Sequence, residues 1–326
     1  MKLPVITKEN FFLHLGQHER PWQKDYLAMY SSQFQGITMD PDLMVLPVDD
    51  HLVHRGDGVF DVMRCVNGKI YLREAHLNRL ERSARAISLG LPPEYVRVRD
   101  LVNALVTAGG EKDCLVRIVI SRGPGSFGAN PFDCPSSQIY INVVRFRGLD
   151  AQHYKKGITL VTSRIPIKRS FFANIKSCNY LPNVLMKMEA VQAGCQYSVG
   201  LDEDGYLAEG SIENIGVVTA DGMLEFPETD RTLAGITAKR VSELAEKLVE
   251  EKRVRGVRFT RITPHQAYRA KEIFLTGTSI NILPVVQYDG RPVGRGCPGP
   301  VCLRLSDLLW QDMTHNTEML SETGVA

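Results

Sequence analysis

This sequence predicts an α+β fold in two domains, and three observations lead there. The chain has 326 residues, about twice the ~150 of an ordinary domain. Its first half alternates strand-like and helix-like segments, whereas short strands separated by turns dominate the second. Between the halves, residues 146–157 are polar and non-periodic with strands on either side. The expected division is a small N-terminal α/β domain at 1–148 with an N-terminal extension, a linker at 149–156, and a larger domain at 157–326.

In chain order, LMVLPVDD (43–50) reads as a strand. VFDVMRCVNGKIYL (59–72) reads as a hairpin turning on Asn67-Gly68, a pair that tolerates the positive φ of a two-residue turn. REAHLNRLERSARAISLGL (73–91) puts Leu77, Leu80, Ala84, Ile87 and Leu91 at helical spacing, with a stop near Gly90 and Pro92. VRDLVNALVTAG is a second helix, and CLVRIVISRG and SQIYINVVRFRGL are strands. Beyond the linker, GITLVTS, YSVGLDEDGYLAEG, IENIGVVTADGMLEFP and EIFLTGT give short strands. Helices are expected at 179–194 and 237–252, and a last one over CLRLSDLLWQDM.

Composition removes whole classes of function. Thirty-nine Lys+Arg against 37 Asp+Glu leave a net charge of +2, which gives no field for nucleic acid or an anionic membrane. Mean hydropathy is −0.14, and no run reaches the roughly 18 apolar residues of a membrane span. No apolar leader region follows Lys2, so a cytoplasmic protein without membrane or nucleic-acid partners is expected. Seven scattered cysteines, without C-x-x-C, suit reduced thiols. Gly123 to Gly128 spells G-x-G-x-x-G, but Pro131 and Pro135 forbid the helix a dinucleotide needs, so an ordinary loop is expected. The pairs His14/His18 and His51/His54 lack partners at ligand spacing, and no metal is expected.

Four segments carry chemistry together. Lys176 sits among Phe171, Phe172, Ala173, Ile175 and Cys178, surroundings that disfavour its charge and supply a neutral amine for a Schiff base. Glu209, in YLAEGSIEN, can keep a pyridine nitrogen protonated. Ala234-Gly235-Ile236-Thr237 opens a helix whose free N–H groups suit a phosphate, and Thr276 to Ser279 adds small hydroxyl donors at a turn. Arg79 can clamp a phosphate with two N–H groups. Each segment alone fits a blander reading: a solvent-seeking lysine, a turn acid, an ordinary helix cap, a surface arginine.

In order, HRGDGVFDVMRCVNGKIYLREAHLNRLERSA, IKSCNYLPNVLMKMEA, DGYLAEGSIENIGVV, LAGITAKRVSELA and FLTGTS resemble the class IV, or fold type IV, pyridoxal-phosphate aminotransferases. This family includes branched-chain and D-amino acid aminotransferases, (R)-amine transaminases and aminodeoxychorismate lyases. The likeness covers about residues 43–310. It implies a pseudo-barrel for the larger domain, pyridoxal 5'-phosphate between the domains, and a homodimer. By it, Lys176 bonds the cofactor aldehyde and shuttles the proton. Glu209 pairs with the ring nitrogen, and Tyr180 reaches the phenolic oxygen. Arg79, Ile236, Thr237 and Thr278 hold the phosphate. Phe60, Arg64, Arg117, Thr278 and Ser279 face the substrate.

The expected reaction is ping-pong transfer of an amino group between an amino acid and a 2-oxo acid. The substrate motifs divide. Lys176 to Tyr180 is spaced as in D-amino acid transaminases and lyases. Glu209 to Asn214, the 123–131 loop, Arg64 and Arg117 resemble the branched-chain enzymes, which this puts slightly ahead. Gly56 to Val62 lacks the threonines typical of bacterial lyases, and the 126–134 loop lacks the Arg-x-His of bacterial D-amino acid enzymes. The alternatives are a lyase releasing pyruvate and 4-aminobenzoate from aminodeoxychorismate, and a protein that holds the cofactor without turnover. The last would need neither Lys176 nor Glu209.

Overall fold

The computed structural model describes residues 3–17, 20–168 and 170–325; His18 of the His14/His18 pair lies outside them. Apolar residues at alternate positions build a first sheet from β1 (Tyr26–Ser31), β2 (Gly36–Thr38), β3 (Gly58–Val66), β4 (Lys69–Tyr71), β5 (Cys114–Ser121) and β6 (Gln138–Arg145). They run β4-β3-β5-β6-β1-β2, antiparallel throughout. Asn67 and Gly68, with φ of 50° and 79°, make the β3–β4 turn. The helices Arg73–Ala86 and Val98–Gly109 bring Leu77, Leu80, Val102 and Leu105 into one core with Met63, Val116 and Ile118.

A second sheet holds β7 (Ile158–Thr162), β8 (Tyr197–Leu201), β9 (Leu207–Gly210), β10 (Asn214–Val218), β11 (Met223–Pro227), β12 (Gly256–Thr260), β13 (Glu272–Gly277), β14 (Asn281–Tyr288) and β15 (Arg291–Pro292). Six of these, β10-β13-β14-β7-β8-β9, close into a barrel because β9 returns to β10 through the pair Glu209 and Asn214. Ile273 and Leu275 join Val217, Leu283 and Val285 in one core. Phe274, between them, joins Val241, Leu305 and Leu309 of the helices Ile236–Leu244 and Pro300–His315 in another. A last strand, β16 (Leu320–Glu322), pairs with β4 of the first sheet.

The α+β class and the barrel therefore stand, with four local corrections. Residues 44–49 form no strand: Asp40 caps a short 3-10 turn at Pro41–Leu43, Pro47 has no N–H to pair, and Asp50 caps the helix His51–Arg55. The helix from Arg73 ends at Ala86 rather than near Gly90, since Ser88 takes φ of 50°. Ala151–Lys156, inside the expected linker, is a short helix capped by Asp150. The helix expected at 237–252 is divided into Ile236–Leu244 and Glu246–Glu250. Among the described residues, no helix is long and apolar enough to cross a membrane, and no cluster of metal-ligating side chains occurs.

Asp312 locks the two halves together. Its carboxylate accepts from Arg240 Nε and Nη2 at 2.8 and 2.6 Å, from Asn316 at 2.7 Å, and from the Tyr71 hydroxyl of β4. Burial alone would raise its pKa, but these hydrogen bonds and the Arg240 charge hold it below the ordinary carboxylate value. That stability is present above the unfolded carboxyl's pKa and is lost as pH falls through the lower folded one. Asp312→Leu should cost about 3 kcal/mol in urea unfolding, because it strands the Tyr71 hydroxyl and leaves Arg240 with Glu243 alone. An unchanged urea midpoint would count against the lock.

Candidate active site

Between the two sheets, residues 175–178 run as an extended stretch stitched to β3. Phe60 N–H donates to the Lys176 carbonyl and Cys178 N–H to that of Gly58, both at 2.9 Å. Lys176 N–H donates to Ser83 Oγ at 3.2 Å. The side chain is thereby aimed into a cavity of about 460 Å³. Its Nζ donates to Tyr180 Oη at 3.2 Å and lies 4.8 Å from the Phe60 ring centre. Burial, reinforced by the Arg79 charge, lowers the amine to about 8; Asp61 and Glu209 pull the other way and lose. Burial also pushes the Tyr180 phenol up, so it stays protonated.

Glu209 occupies the barrel's closing pair. Its Oε2 accepts from Leu233 N–H at 3.0 Å, and burial lifts the carboxyl to about 7. Opposite it, Asn214 donates to the Leu233 carbonyl at 3.1 Å. The turn at 233–235 is thus gripped from both strands of the closure. Gly235 is required there, since a Cβ would come within 1.8 Å of Asn214 Oδ1. The next residue opens the Ile236–Leu244 helix, and no side chain caps it. The Ile236 and Thr237 N–H groups are therefore free for an anion.

Arg79 is 5% exposed and bound at two points to Asp61, both at 2.8 Å; its remaining Nη1 donates to the Ala234 carbonyl at 3.3 Å. Burial would raise the Asp61 carboxyl, but the charges and hydrogen bonds of Arg79 and His76 hold it far below the usual range. His76, lowered by burial, meets Asp61 Oδ1 at 2.7 Å. Across the cavity, Ile280 N–H closes a turn on the Gly277 carbonyl. Thr278 and Ser279 ride on that turn.

The structure brings most of the sequence-predicted residues together. Lys176, Tyr180, Phe60, Arg79, Arg117, Ile236, Thr237, Thr278 and Ser279 all line this cavity, and Glu209 touches it through Leu233. Arg64 does not line it. Its guanidinium stacks on Phe146 at 3.2 Å and pairs with Asp113 at 3.0 Å, beside a separate small cavity that also reaches Thr237 and Thr278. Sequence reasoning missed Asn214, which lines the cavity, and Asp61 with His76, which stand behind Arg79; an aspartate inside an apolar strand was the available signal for Asp61. A larger cavity, about 720 Å³, lies beyond the 233–236 turn and contains neither Lys176 nor Tyr180. Lys176, Tyr180 and Arg79 gather at the smaller one.

Comparison with known proteins agrees. Residues 58–288 match the model of the family described as amino-transferase class IV. The chloroplastic D-amino-acid transaminase of Arabidopsis thaliana is 40% identical over 291 residues, 89% of this chain and 77% of the relative. The D-alanine aminotransferase of Bacillus licheniformis is 28% identical over 297 residues, 89% of this chain and 98% of that one. Among solved structures, a T.th. branched-chain amino acid aminotransferase complexed with N-(5'-phosphopyridoxyl)-L-glutamate superposes with a TM-score of 0.84 at 28% identity, covering 92% of this chain and 99% of that one. The chain belongs to the class IV aminotransferases.

Its cofactor is pyridoxal 5'-phosphate. The residues present fit that group: an amine lowered to about 8, an uncapped helix start behind a glycine with no room for a Cβ, and a carboxyl at about 7. Because only the neutral amine attacks an aldehyde, cofactor-free protein should take up pyridoxal phosphate faster as pH rises, with a midpoint near 8. Stopped-flow uptake between pH 6 and about 11 checks this; a midpoint at the ordinary lysine value of about 10.4 would contradict it.

Proposed function

We propose that this class IV aminotransferase takes its amino group from an amino acid of small or aliphatic side chain by the residues assembled around Lys176, and passes it to a 2-oxo acid. The observation that carries the reading is the lowered Lys176 amine, held between Tyr180, the Glu209 carboxyl and the uncapped start of the Ile236–Leu244 helix.

When bound, pyridoxal phosphate supplies an aldehyde for the amino group and a ring that withdraws electrons from the substrate Cα. The chain does the rest. Arg79, the Ile236 and Thr237 N–H groups and Thr278 hold the phosphate, while Asp61 keeps the arginine from swinging away. Glu209 keeps a proton at the ring nitrogen, and the Tyr180 hydroxyl donates to the phenolic oxygen. Lys176 Nζ, as a free amine, would remove the Cα proton and hold it for return. At about 8, its pKa lies near working pH, where an acid–base catalyst is most effective.

Leu52, Phe60, Val62, Leu115, Val119 and Ile212 give the cavity an apolar wall for an aliphatic side chain. That wall supports the branched-chain reading that the sequence put slightly ahead. The 40% likeness to a D-amino-acid transaminase supports the other hand, and we take D-amino acids as the preferred donors. The test is a half-reaction of the holoenzyme with D-alanine, L-leucine or (R)-1-phenylethylamine, without acceptor. D-alanine is expected to bleach the cofactor's visible band, and Lys176→Ala to lack both band and reaction while keeping its far-UV circular dichroism. A band surviving every donor overturns the aminotransferase reading and turns attention to pyruvate release from aminodeoxychorismate. Bleaching by L-leucine alone reverses the hand.

The proposal extends to assembly and setting. Leu181, Val184, Met188 and Val191 are 68%, 58%, 49% and 62% exposed, and their spacing puts them along one face of the Leu181–Gln192 helix, which follows Tyr180 directly. This stripe supports a homodimer. The net charge of +2 supports small-molecule substrates, with neither membrane nor nucleic acid as partner, and the proposed setting is the cytoplasm. Strands β1 to β6 and the second sheet mark the proposed domains, 1–148 and 157–326 about the 149–156 connection, with β16 returning from the second to the first. Val184→Lys with Val191→Lys should yield monomers by light scattering, and a variant that stays dimeric moves the interface elsewhere.

A further inference from the structure

The larger cavity, beyond the 233–236 turn, takes no part in amino-group transfer. Its volume of about 720 Å³ is that of an ordinary small-molecule site. One helix separates it from the cofactor cavity. Ala75, Asn78 and Arg82 of Arg73–Ala86 line it. One residue further round, His76, Arg79 and Ser83 serve the other side, the first two through Asp61 and the third through the Lys176 N–H. The turn completes the partition, since Leu233, Gly235 and Ile236 line both cavities.

One wall is aromatic. Phe226, buried, meets Phe274 edge-on with 5.9 Å between ring centres, and Phe259 stacks on Phe226 at 5.4 Å and 27°. Phe259 is the outermost of the three, 40% exposed, on the edge strand β12. A flat ring against Phe259 would continue the series. The mouth is cationic. Of the charged side chains that line the cavity, Arg240 is committed to Asp312 at 2.8 and 2.6 Å and to Glu243 at 2.9 Å. Arg82 and Lys239 are exposed, and among the described residues neither side chain has an ion pair or a hydrogen bond. The lining therefore offers two positive charges and no uncommitted carboxylate. Charge complementarity selects an anion, and the aromatic wall selects one with a flat apolar body.

We propose that this cavity is a second binding site, for a small aromatic carboxylate whose ring lies against Phe259 and whose charge meets Arg82 and Lys239 at the mouth. The site goes beyond the transamination reading and does not depend on it. Its occupant touches neither Lys176 nor Tyr180, and rests instead against the 233–236 turn from the side away from them.

The test titrates holoenzyme, its cofactor in the Lys176 cavity, with 2-naphthoate by isothermal calorimetry; 2-naphthylmethanol is the uncharged control. Two variants change residues of the larger cavity alone. Arg82→Gln with Lys239→Gln should weaken the acid by about fivefold, the scale of two exposed ion pairs, and leave the alcohol unchanged. Phe259→Ala should weaken acid and alcohol alike, by about threefold or more. Wild-type enzyme that takes up no naphthoate overturns the site, as does binding that both variants leave intact, which would put the ligand elsewhere. Alcohol bound as tightly as the acid overturns the choice of an anion. A Phe259→Ala protein of lower mass than the wild type by light scattering assigns the cavity to a second copy of the chain, and overturns the small-ligand reading as well.

Discussion

One rung of the barrel, Glu209 opposite Asn214, is the constraint on which the site depends. Closing the six strands there puts a carboxylate and an amide on facing strands, and both reach the 233–235 turn. The turn then starts the helix whose free N–H groups face the cavity. The buried carboxylate and the uncapped helix start are therefore set by a single register. A slip of one residue would turn both side chains to the other face of the sheet and lose both contacts to Leu233 at once.

Electrostatics inside this frame are decided by burial, with charges placed to correct it. Lys176 is driven toward neutrality mostly by loss of water, and the Asp61 and Glu209 charges return only part of the shift. Asp61 is the reverse case: more deeply buried than Lys176, it stays ionised because Arg79 and His76 supply more than the desolvation costs. An amine that must lose its proton is left almost alone, whereas a carboxylate that must keep its charge is surrounded by donors.

Much of this was legible in the sequence, because the cofactor needs particular residue types in fixed local settings. Lys176, Tyr180, Glu209 and the Gly235-Ile236-Thr237 start each sit in a short motif, and the structure joins them. Asp61 and Asn214 were not legible, since their roles come from partners on other elements: Asp61 from Arg79 on a helix, Asn214 from a turn beyond the next strand. Arg64 shows the opposite error. It lies on the same strand face as Phe60 and Val62, but Asp113 and Phe146 capture its guanidinium before it reaches the cavity. The false strand at 43–50 had apolar residues but no neighbour to pair with; Val45, Leu46 and Val48 remain exposed.

The strand β16 has a consequence for biosynthesis. It covers the edge of β4, and Thr323 reaches the Gly68 carbonyl across 255 residues of sequence. During translation the first sheet emerges long before its covering strand exists. For that interval the nascent chain carries Lys69 to Tyr71 as an open edge, with backbone N–H and C=O groups available to any other extended segment. At ribosomal rates of ~5–20 residues per second, the exposure lasts on the order of ten seconds to a minute. The early domain can gather its core around Leu77 and Val102, but its border is finished only when the late segment arrives. Until then, the cell's chaperones are the natural occupants of that edge.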